Sequence, residues 1–163
     1  MSKSQDQSYL KELGRRLNYL GFQTDNQGNE VLAVAKSGKC LCEISESGGI
    51  RFRTEDLTKA EEEMVRGTVK TEAITTLEHM KLMAEAPEMK TGDGISHYKL
   101  LADFNGVALA GHETSLGIQF VTWNWDHDRK GVHCRHYYGQ NYDGAKQDFT
   151  PAPAYCPKAA SSA

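Results

Sequence analysis

The stretch EVLAVAKSGKCLCEISESGGIRFRT, residues 30–54, returns in a related form as YKLLADFNGVALAGHETSLGIQFVT, residues 98–122, and we expect the fold to be built around these two segments. Both alternate apolar and polar residues around glycine-containing turns, which is typical of consecutive antiparallel strands. Eight of the 25 positions are identical at a constant offset of 68 without a gap: Leu32/Leu100, Gly38/Gly106, Leu41/Leu109, Ser47/Ser115, Gly49/Gly117, Ile50/Ile118, Phe52/Phe120 and Thr54/Thr122. The sequence therefore predicts a duplicated three-strand unit.

Helical patterns surround the two copies. Apolar residues recur at helical spacing over about residues 9–20, after Ser8 as a possible N-cap. Thr58 and Glu61 have the spacing of a capping box and predict the start of a long central helix. A short helix is predicted over about residues 143–149. The apolar stripe of the central helix consists of Val65, Val69, Ala73, Leu77, Met80 and Ala84.

Together these patterns predict an α+β fold. An antiparallel sheet from the duplicated three-strand unit packs with one N-terminal helix, one long central helix and a short C-terminal helix. A chain of 163 residues is long enough for one hydrophobic core. We therefore expect a single domain over residues 1–150 and a flexible tail over residues 151–163, which begins with the proline-rich PAPAYCP.

The bulk properties of the chain exclude several classes of protein. A formal net charge of −3 is too small to indicate a nucleic-acid binder or a polyanionic mimic of nucleic acid. No stretch approaches the roughly 20 apolar residues of a membrane span. The start, MSKSQDQSYLKELGRR, lacks the apolar core of a secretion signal. We expect a cytoplasmic protein with no membrane partner.

The four cysteines, Cys40, Cys42, Cys134 and Cys156, include no Cys-x-x-Cys pair. Cys40 and Cys42 are two residues apart on a predicted strand, so we expect them to share one face as small apolar fillers. In a reducing compartment such cysteines stay thiols. The sequence thus predicts neither a redox site nor a cofactor.

The most unusual chemistry lies in FVTWNWDHDRKGVHCRHYY, residues 120–138. The repeat assigns Ile118 and Phe120 to the core face, whereas Trp123 and Trp125 have the opposite parity. Three interpretations stay open at this point. A β-bulge near Thr122 returns both tryptophans to the core, or they cover the second face of the sheet beneath a helix, or they form a partly exposed contact stripe.

The same segment supplies a candidate contact surface for a partner. Asp126 to Gly131 form the predicted tip of a hairpin, and in a regular following strand His133, Arg135 and Tyr137 share one face. Trp, Tyr and Arg are enriched among residues that dominate binding. The alternative is that Arg135 and Tyr137 cover a second layer of core. The candidate partner-binding residues are Trp123, Trp125, His127, Arg129, Lys130, His133, Arg135 and Tyr137.

Catalytic signatures are weak in this sequence. His133 and His136 point to opposite faces of a regular strand, so with His127 they do not converge on one metal ion. No serine or cysteine lies in a recognisable nucleophile elbow, and neither a P-loop nor a Gly-x-Gly-x-x-Gly motif is present. We therefore predict no catalytic residues, no metal site and no enzyme activity.

Two passages carry a family resemblance, YKLLADFNGVALAG and IQFVTWNWDHDRKGVHCRHYYGQNYDGAKQDF. They resemble a module of uncharacterised accessory proteins of conjugative transposons and plasmids from Gram-positive gut bacteria. In that module a Phe-Val-Thr-Trp strand, a Gly…His-Tyr-Tyr strand and an Ala-Lys-x-Asp-Phe helix recur. The resemblance covers about a third of the chain strongly and the first half loosely. At Thr150 the sequence departs from the pattern, because TPAPAYCPK replaces a longer closing helix.

The resemblance implies a biological setting. Cargo proteins of conjugative elements often protect incoming DNA against host defences, so it implies an anti-defence protein, an anti-CRISPR or antirestriction factor. Such a protein acts by stoichiometric binding to a host defence protein such as an effector nuclease. One alternative is a DNA-contacting accessory protein of conjugation or replication that uses Arg129, Lys130 and Arg135 beside the aromatics. Another is an undetected enzyme that uses the histidines.

Overall fold

The computed structural model describes residues 2–27, 30–89 and 97–149. The chain divides into two compact units, Met1–Lys81 and Leu82–Ala163, and each unit has its own antiparallel sheet. That residues 1–150 fold as a single domain stays a prediction. The predicted tail, residues 151–163, lies outside the described residues.

The first unit packs helix α1 against a four-stranded meander. Helix α1 begins at Ser2, earlier than the N-cap predicted at Ser8, and it contacts the first two strands. The first strand was not expected, because QTDNQ is polar and poor in strand-forming residues. It forms by pairing along its whole length with the second. The elements are α1 (Ser2–Tyr19), β1 (Gln23–Gln27), β2 (Val31–Lys36), β3 (Lys39–Ser45) and β4 (Ile50–Arg51), with sheet order β1-β2-β3-β4.

The long central helix runs from Lys59 to Glu85. It consists of α2 (Lys59–Met64), a π-helical segment (Val65–Val69) and α3 (Lys70–Glu85). The predicted capping box is confirmed, because Glu61 N–H donates to Thr58 Oγ1 over 3.2 Å and Thr58 N–H donates to Glu61 Oε1 over 2.8 Å. These two bonds satisfy backbone donors that the first helical turn leaves without partners.

The predicted apolar stripe of this helix is confirmed except at its end. Val65, Val69 and Ala73 are buried in the core of the first unit, and Leu77 and Met80 pack against it. Ala84 is exposed, whereas the neighbouring Met83 is buried.

None of the helices in the described ranges has the length and apolar character needed to cross a membrane.

A buried polar cluster lies beside this apolar core. Arg16 is 2% exposed, and its Nε donates to Glu12 Oε1 over 3.0 Å. Its Nη1 is 3.0 Å from His79 Nδ1 and 3.9 Å from Glu72 Oε1. Buried charges are tolerated when they are paired and hydrogen-bonded, so α1 and α3 are joined here by polar as well as apolar contacts.

The two cysteines of β3 do not share a face. Val34 pairs with Cys42, but the next residue of β2, Ala35, pairs with Cys40, so a β-bulge lies at Leu41. Cys42 is consequently buried and Cys40 exposed. The expectation that both act as apolar fillers is wrong for Cys40, because one extra residue reverses the alternation of side chains.

The second unit is a four-stranded antiparallel meander with a short helix on one face. Helix α4 buries Ala145 and Phe149, and the Tyr142 ring meets the Phe120 ring edge-on with centroids 4.8 Å apart. The predicted C-terminal helix and the α+β fold are confirmed. The elements are β5 (Lys99–Phe104), β6 (Val107–Thr114), β7 (Gly117–Trp125), β8 (Val132–Gly139) and α4 (Tyr142–Phe149), with sheet order β5-β6-β7-β8.

The predicted repeat is present as matching units in two separate sheets. Strands β2, β3 and β4 correspond to β5, β6 and β7 in order and direction at the offset of 68. The first turns match as well: Ser37 and Asn105 have φ of 53° and 55°, and the glycines that follow have φ of 80° and 79°. The copies differ in their bulges, which lie at Leu41 in β3 and at Leu101 in β5.

Candidate partner-binding surface

The hairpin of β7 and β8 carries the candidate contact residues, and its tip is the turn that the sequence predicts. Asp126 N–H donates to the Gly131 carbonyl over 2.9 Å, and Arg129 N–H donates to the Asp126 carbonyl over 2.9 Å. Arg129 itself has a left-handed backbone with φ of 57°. Lys130 N–H donates to Asp128 Oδ1 over 3.1 Å. The tip is therefore held by its own hydrogen bonds.

The tryptophans lie on the second face of the sheet, which agrees with part of the second of the three interpretations. The helix that this interpretation placed over them is not found among the described residues of their cluster. We call this face, which carries Val121, Trp123 and Trp125, the Trp face. The pairing of β6 with β7 is continuous, so no bulge returns the tryptophans to the face of Phe120. The described part of the interior of the Trp face is a buried cluster of six residues: Met89, Tyr98, Ala108, Ala110, Val121 and Trp123.

Trp123 and Trp125 differ in their exposure. Trp123 is 1% exposed and meets the Tyr98 ring edge-on with centroids 4.7 Å apart. A side chain buried to this extent offers no surface to a partner. The prediction that Trp123 is part of the contact surface is therefore wrong, because its side chain lies in the core. Trp125 is half-buried and packs against the edge of the same cluster.

Two irregularities in β8 change the predicted row of side chains. Tyr137 pairs with Val121, which places it on the Trp face, whereas His133 pairs with Asn124 on the other face. The register shifts between these pairs because β8 has one residue more than β7 over the same interval. The prediction that His133 shares a face with Arg135 and Tyr137 is therefore wrong.

Arg135 lies over the Trp face and is held by two aromatic rings. Its guanidinium carbon is 4.9 Å from the Trp123 ring centroid and 5.2 Å from that of Tyr137, and its Nη1 donates to the Tyr137 hydroxyl. Burial raises the pKa of Tyr98, and the positive charge of Arg135 acts in the opposite direction. These contacts hold the guanidinium of Arg135 against the buried Trp123 ring and the exposed Tyr137 ring.

The outer side of this arrangement is open to solvent. Arg135 is exposed, and 66% of Tyr137 is exposed. Among the residues that the structure describes, no Asp or Glu forms an ion pair with Arg135. Arg135 and Tyr137 therefore present a positive charge and an aromatic ring that a partner can reach. We call this pair the open Arg–Tyr site.

Arg129 forms a second arginine–tryptophan pair on the same hairpin, and a carboxylate binds both members of this pair. Its guanidinium carbon is 4.7 Å from the Trp125 ring centroid, and its Nη2 forms an ion pair with Asp103 Oδ2. Trp125 Nε1 donates to Asp103 Oδ1 over 3.2 Å. Asp103 thus neutralises Arg129, which leaves it less charge for a partner than the sequence suggests.

The histidines of the candidate segment lie apart from one another. His127 is exposed at the hairpin tip, and His133 Nδ1 is 2.7 Å from Asp126 Oδ1. His136 is exposed and pairs with Thr122. Within residues 2–27, 30–89 and 97–149, no three His, Cys, Asp or Glu side chains form a group that could hold a metal ion.

A different histidine pair adjoins the Trp face, and sequence reasoning missed it. The ring centroids of His97 and His112 are 4.4 Å apart, and that of Tyr98 lies 4.6 Å from His112. Burial, followed by the nearby His97, lowers the pKa of His112. One feature of the sequence could have indicated this pair: at the offset of 68, the first copy has the apolar Ile44 at the position of His112.

A comparison of this chain with family models, curated proteins and solved structures finds no match in any of the three.

Proposed function

We propose that this protein acts by stoichiometric binding to a protein partner through the open Arg–Tyr site. The observation that supports the proposal most is the exposure of Arg135 and Tyr137 on a base that includes the buried Trp123. Because the aromatic contacts already restrict the arginine, a partner has less side-chain entropy to remove on binding. Arg and Tyr in such a setting are typical of the centre of a protein interface.

The partner that we propose is a host defence nuclease, which makes the protein an anti-CRISPR or antirestriction factor. This part of the proposal comes from the resemblance of residues 98–149 to accessory proteins of conjugative elements. An inhibitor that acts by stoichiometric binding needs an exposed contact surface and does not need catalytic residues. The proposal includes the hairpin tip, with Trp125, His127 and Lys130, as the rim of the contact.

The test is cleavage of plasmid DNA by purified CRISPR effector nucleases and restriction endonucleases in the presence of increasing amounts of this protein. Stoichiometric binding predicts an end point at a fixed molar ratio that does not change with incubation time. Arg135→Glu and Tyr137→Ala should lose inhibition at an unchanged melting temperature. The matched control is His136→Ala, an exposed change on the other face of the same strand. Equal inhibition by all three variants would show that the open Arg–Tyr site does not contact the nuclease.

The second candidate is contact with single-stranded DNA in conjugation or replication. The exposed ring of Tyr137 beside Arg135 favours it, since bases stack on aromatic rings next to positive charge. The pairing of Arg129 with Asp103 and the net charge of −3 weigh against it. Fluorescence anisotropy with a labelled thymidine oligonucleotide distinguishes the two candidates, because DNA binding must weaken as salt rises.

A further inference from the structure

The hairpin of β7 and β8 holds two arginine–tryptophan pairs of similar geometry. The distance from guanidinium carbon to ring centroid is 4.7 Å for Arg129 over Trp125 and 4.9 Å for Arg135 over Trp123. The two tryptophans are two residues apart on one strand and share the Trp face. The hairpin therefore contains two arginine–tryptophan pairs of the same kind. The contacts of one pair can be compared with those of the other.

The first pair shows what completes a pair of this kind. The carboxylate of Asp103 accepts from both members, from Arg129 Nη2 and from Trp125 Nε1. Asp103 comes from β5, and its partner in the sheet is Ala108, which pairs in turn with Trp123. The carboxylate thus lies on the Trp face, where it binds an arginine already held against an aromatic ring.

The second pair has the arginine and the rings, but among the described residues no carboxylate binds it. Arg135 contacts Trp123 and donates to the Tyr137 hydroxyl, and a guanidinium has five N–H donors in all. The described ionisable side chains that contact Tyr98 or act on its charge are His97, His112, Arg135 and Tyr137, and none of them is a carboxylate. The local charge is therefore complementary to an anion.

We propose that the open Arg–Tyr site binds an aspartate or glutamate side chain of an exposed acidic segment in the partner protein. The partner's carboxylate takes the place at Arg135 that Asp103 takes at Arg129, and the Tyr137 ring packs against apolar atoms beside that carboxylate. A protein carboxylate fits better than a nucleic acid, because a strand of phosphates needs several cations and Arg129 is already neutralised. This inference rests on the proposed function as a protein-binding module.

The test is a selection from a random dodecapeptide library displayed on phage, with the full chain as bait. The wild-type protein should enrich peptides that contain Asp or Glu next to an apolar or aromatic residue. Synthetic versions of those peptides should bind Arg135→Gln about 10- to 100-fold more weakly than the wild type, the range for a lost charged hydrogen-bonded pair. Arg135→Glu should enrich basic peptides instead. No acidic enrichment by the wild type, or unchanged binding by Arg135→Gln, overturns the proposal.

Two variants of Tyr137 separate charge from shape. Tyr137→Glu supplies a carboxylate beside Arg135 within the chain, whereas Tyr137→Gln removes the ring without adding charge. We expect Tyr137→Glu to abolish binding of the selected peptides and Tyr137→Gln to retain part of it. Equal loss in both variants, at an unchanged melting temperature, would show that the ring and not the charge is recognised, which contradicts the proposal.

The outcome is independent of the nuclease assays. Selection of acidic peptides without inhibition of any nuclease supports the carboxylate site and contradicts the proposed target. Inhibition that survives Arg135→Glu contradicts the carboxylate site and leaves the proposed target standing. Binding of a thymidine oligonucleotide that is lost in Arg135→Gln, without acidic enrichment, assigns the surface to nucleic acid and overturns the inference.

Discussion

Gly38 and Gly106 lie 68 residues apart and have the same left-handed backbone, with φ of 80° and 79°. Each follows a residue that is also left-handed, Ser37 with φ of 53° and Asn105 with φ of 55°. Two consecutive residues of positive φ in a two-residue hairpin loop are typical of a type I′ turn, whose twist suits the flanking strands. The repeat thus preserves a backbone conformation as well as a strand order.

Replacing either glycine by alanine should lower stability through the backbone alone. No atom lies within 4 Å of an added Cβ at Gly38 or Gly106, so steric contact contributes nothing. A left-handed alanine costs roughly 1–2 kcal/mol, and we expect that loss at both positions in a denaturant titration. Gly67→Ala is the control, since it also has open space but lies in the central helix without a positive φ. It should raise stability by roughly 0.5–1 kcal/mol, and a loss like that at the turns would contradict the backbone explanation.

The sequence predicts features that repeat or that follow local rules. The constant offset predicts the paired turns, and the spacing of Thr58 and Glu61 predicts the capping box, because both depend on a few neighbouring residues. Single-residue bulges leave no comparable pattern. The bulge at Leu41 separates Cys40 from Cys42, and the extra residue of β8 between His133 and His136 moves His133 to the other face. Each depends on how a neighbouring strand pairs.

The candidate site is predictable to the same limited extent. The sequence indicates the hairpin and its unusual side chains. It also places Trp123 on the face opposite Phe120, but it does not indicate whether that face is buried. The ion pair between Asp103 and Arg129 joins residues 26 apart in sequence, and nothing in the pattern of either segment indicates it. The sequence therefore does not indicate which arginine is accessible to a partner. This depends on which side chains the pairing of the strands brings together.

The buried cluster around Arg16 should make a large contribution to stability. Arg16→Ala leaves the buried Glu12 without its ion pair to Arg16 and removes the contact to His79, so we expect a loss of about 3–5 kcal/mol. Arg15→Ala is the matched control, because Arg15 binds the other carboxylate oxygen of Glu12 and is 31% exposed. It should cost about 1 kcal/mol or less. Equal losses in a urea titration would show that burial does not govern these pairs.

His112 should make the folded protein less stable in acid. Burial, and then the charge of His97, lowers the pKa of His112 below that of the unfolded chain, about 6.5. The unfolded chain therefore binds the proton more readily, and stability falls as the pH decreases through about 6.5. His112→Gln should reduce the drop in melting temperature between pH 7.5 and 5.5. An unaltered drop in this variant contradicts this assignment.

The two thiols of β3 should differ in reactivity towards alkylating agents. Burial is the largest of the effects that raise the pKa of Cys42, to about 12, and the side chain is 3% exposed, while Cys40 is exposed on the other face. Because the thiolate is the nucleophile, iodoacetamide at pH 8 should modify Cys40 first. Peptide mass spectrometry over a time course measures both rates in one sample. In guanidinium chloride the rates should converge, and early modification of Cys42 in the native protein would contradict the bulge at Leu41.

Asp103→Asn should convert the complete arginine–tryptophan pair into a second open one. The change keeps the size of the side chain and an acceptor for Trp125 Nε1, but it removes the negative charge that neutralises Arg129. Because this ion pair is partly exposed, we expect a stability loss of only about 1 kcal/mol or less. The freed guanidinium should strengthen binding of the acidic peptides selected by the wild type, and Asp103→Asn combined with Arg129→Gln should cancel that gain. Asp128→Asn, which removes one negative charge at the exposed tip, controls for net charge. If Asp128→Asn strengthens peptide binding as much as Asp103→Asn does, the effect comes from overall charge, and Asp103 does not set which arginine is open to a partner.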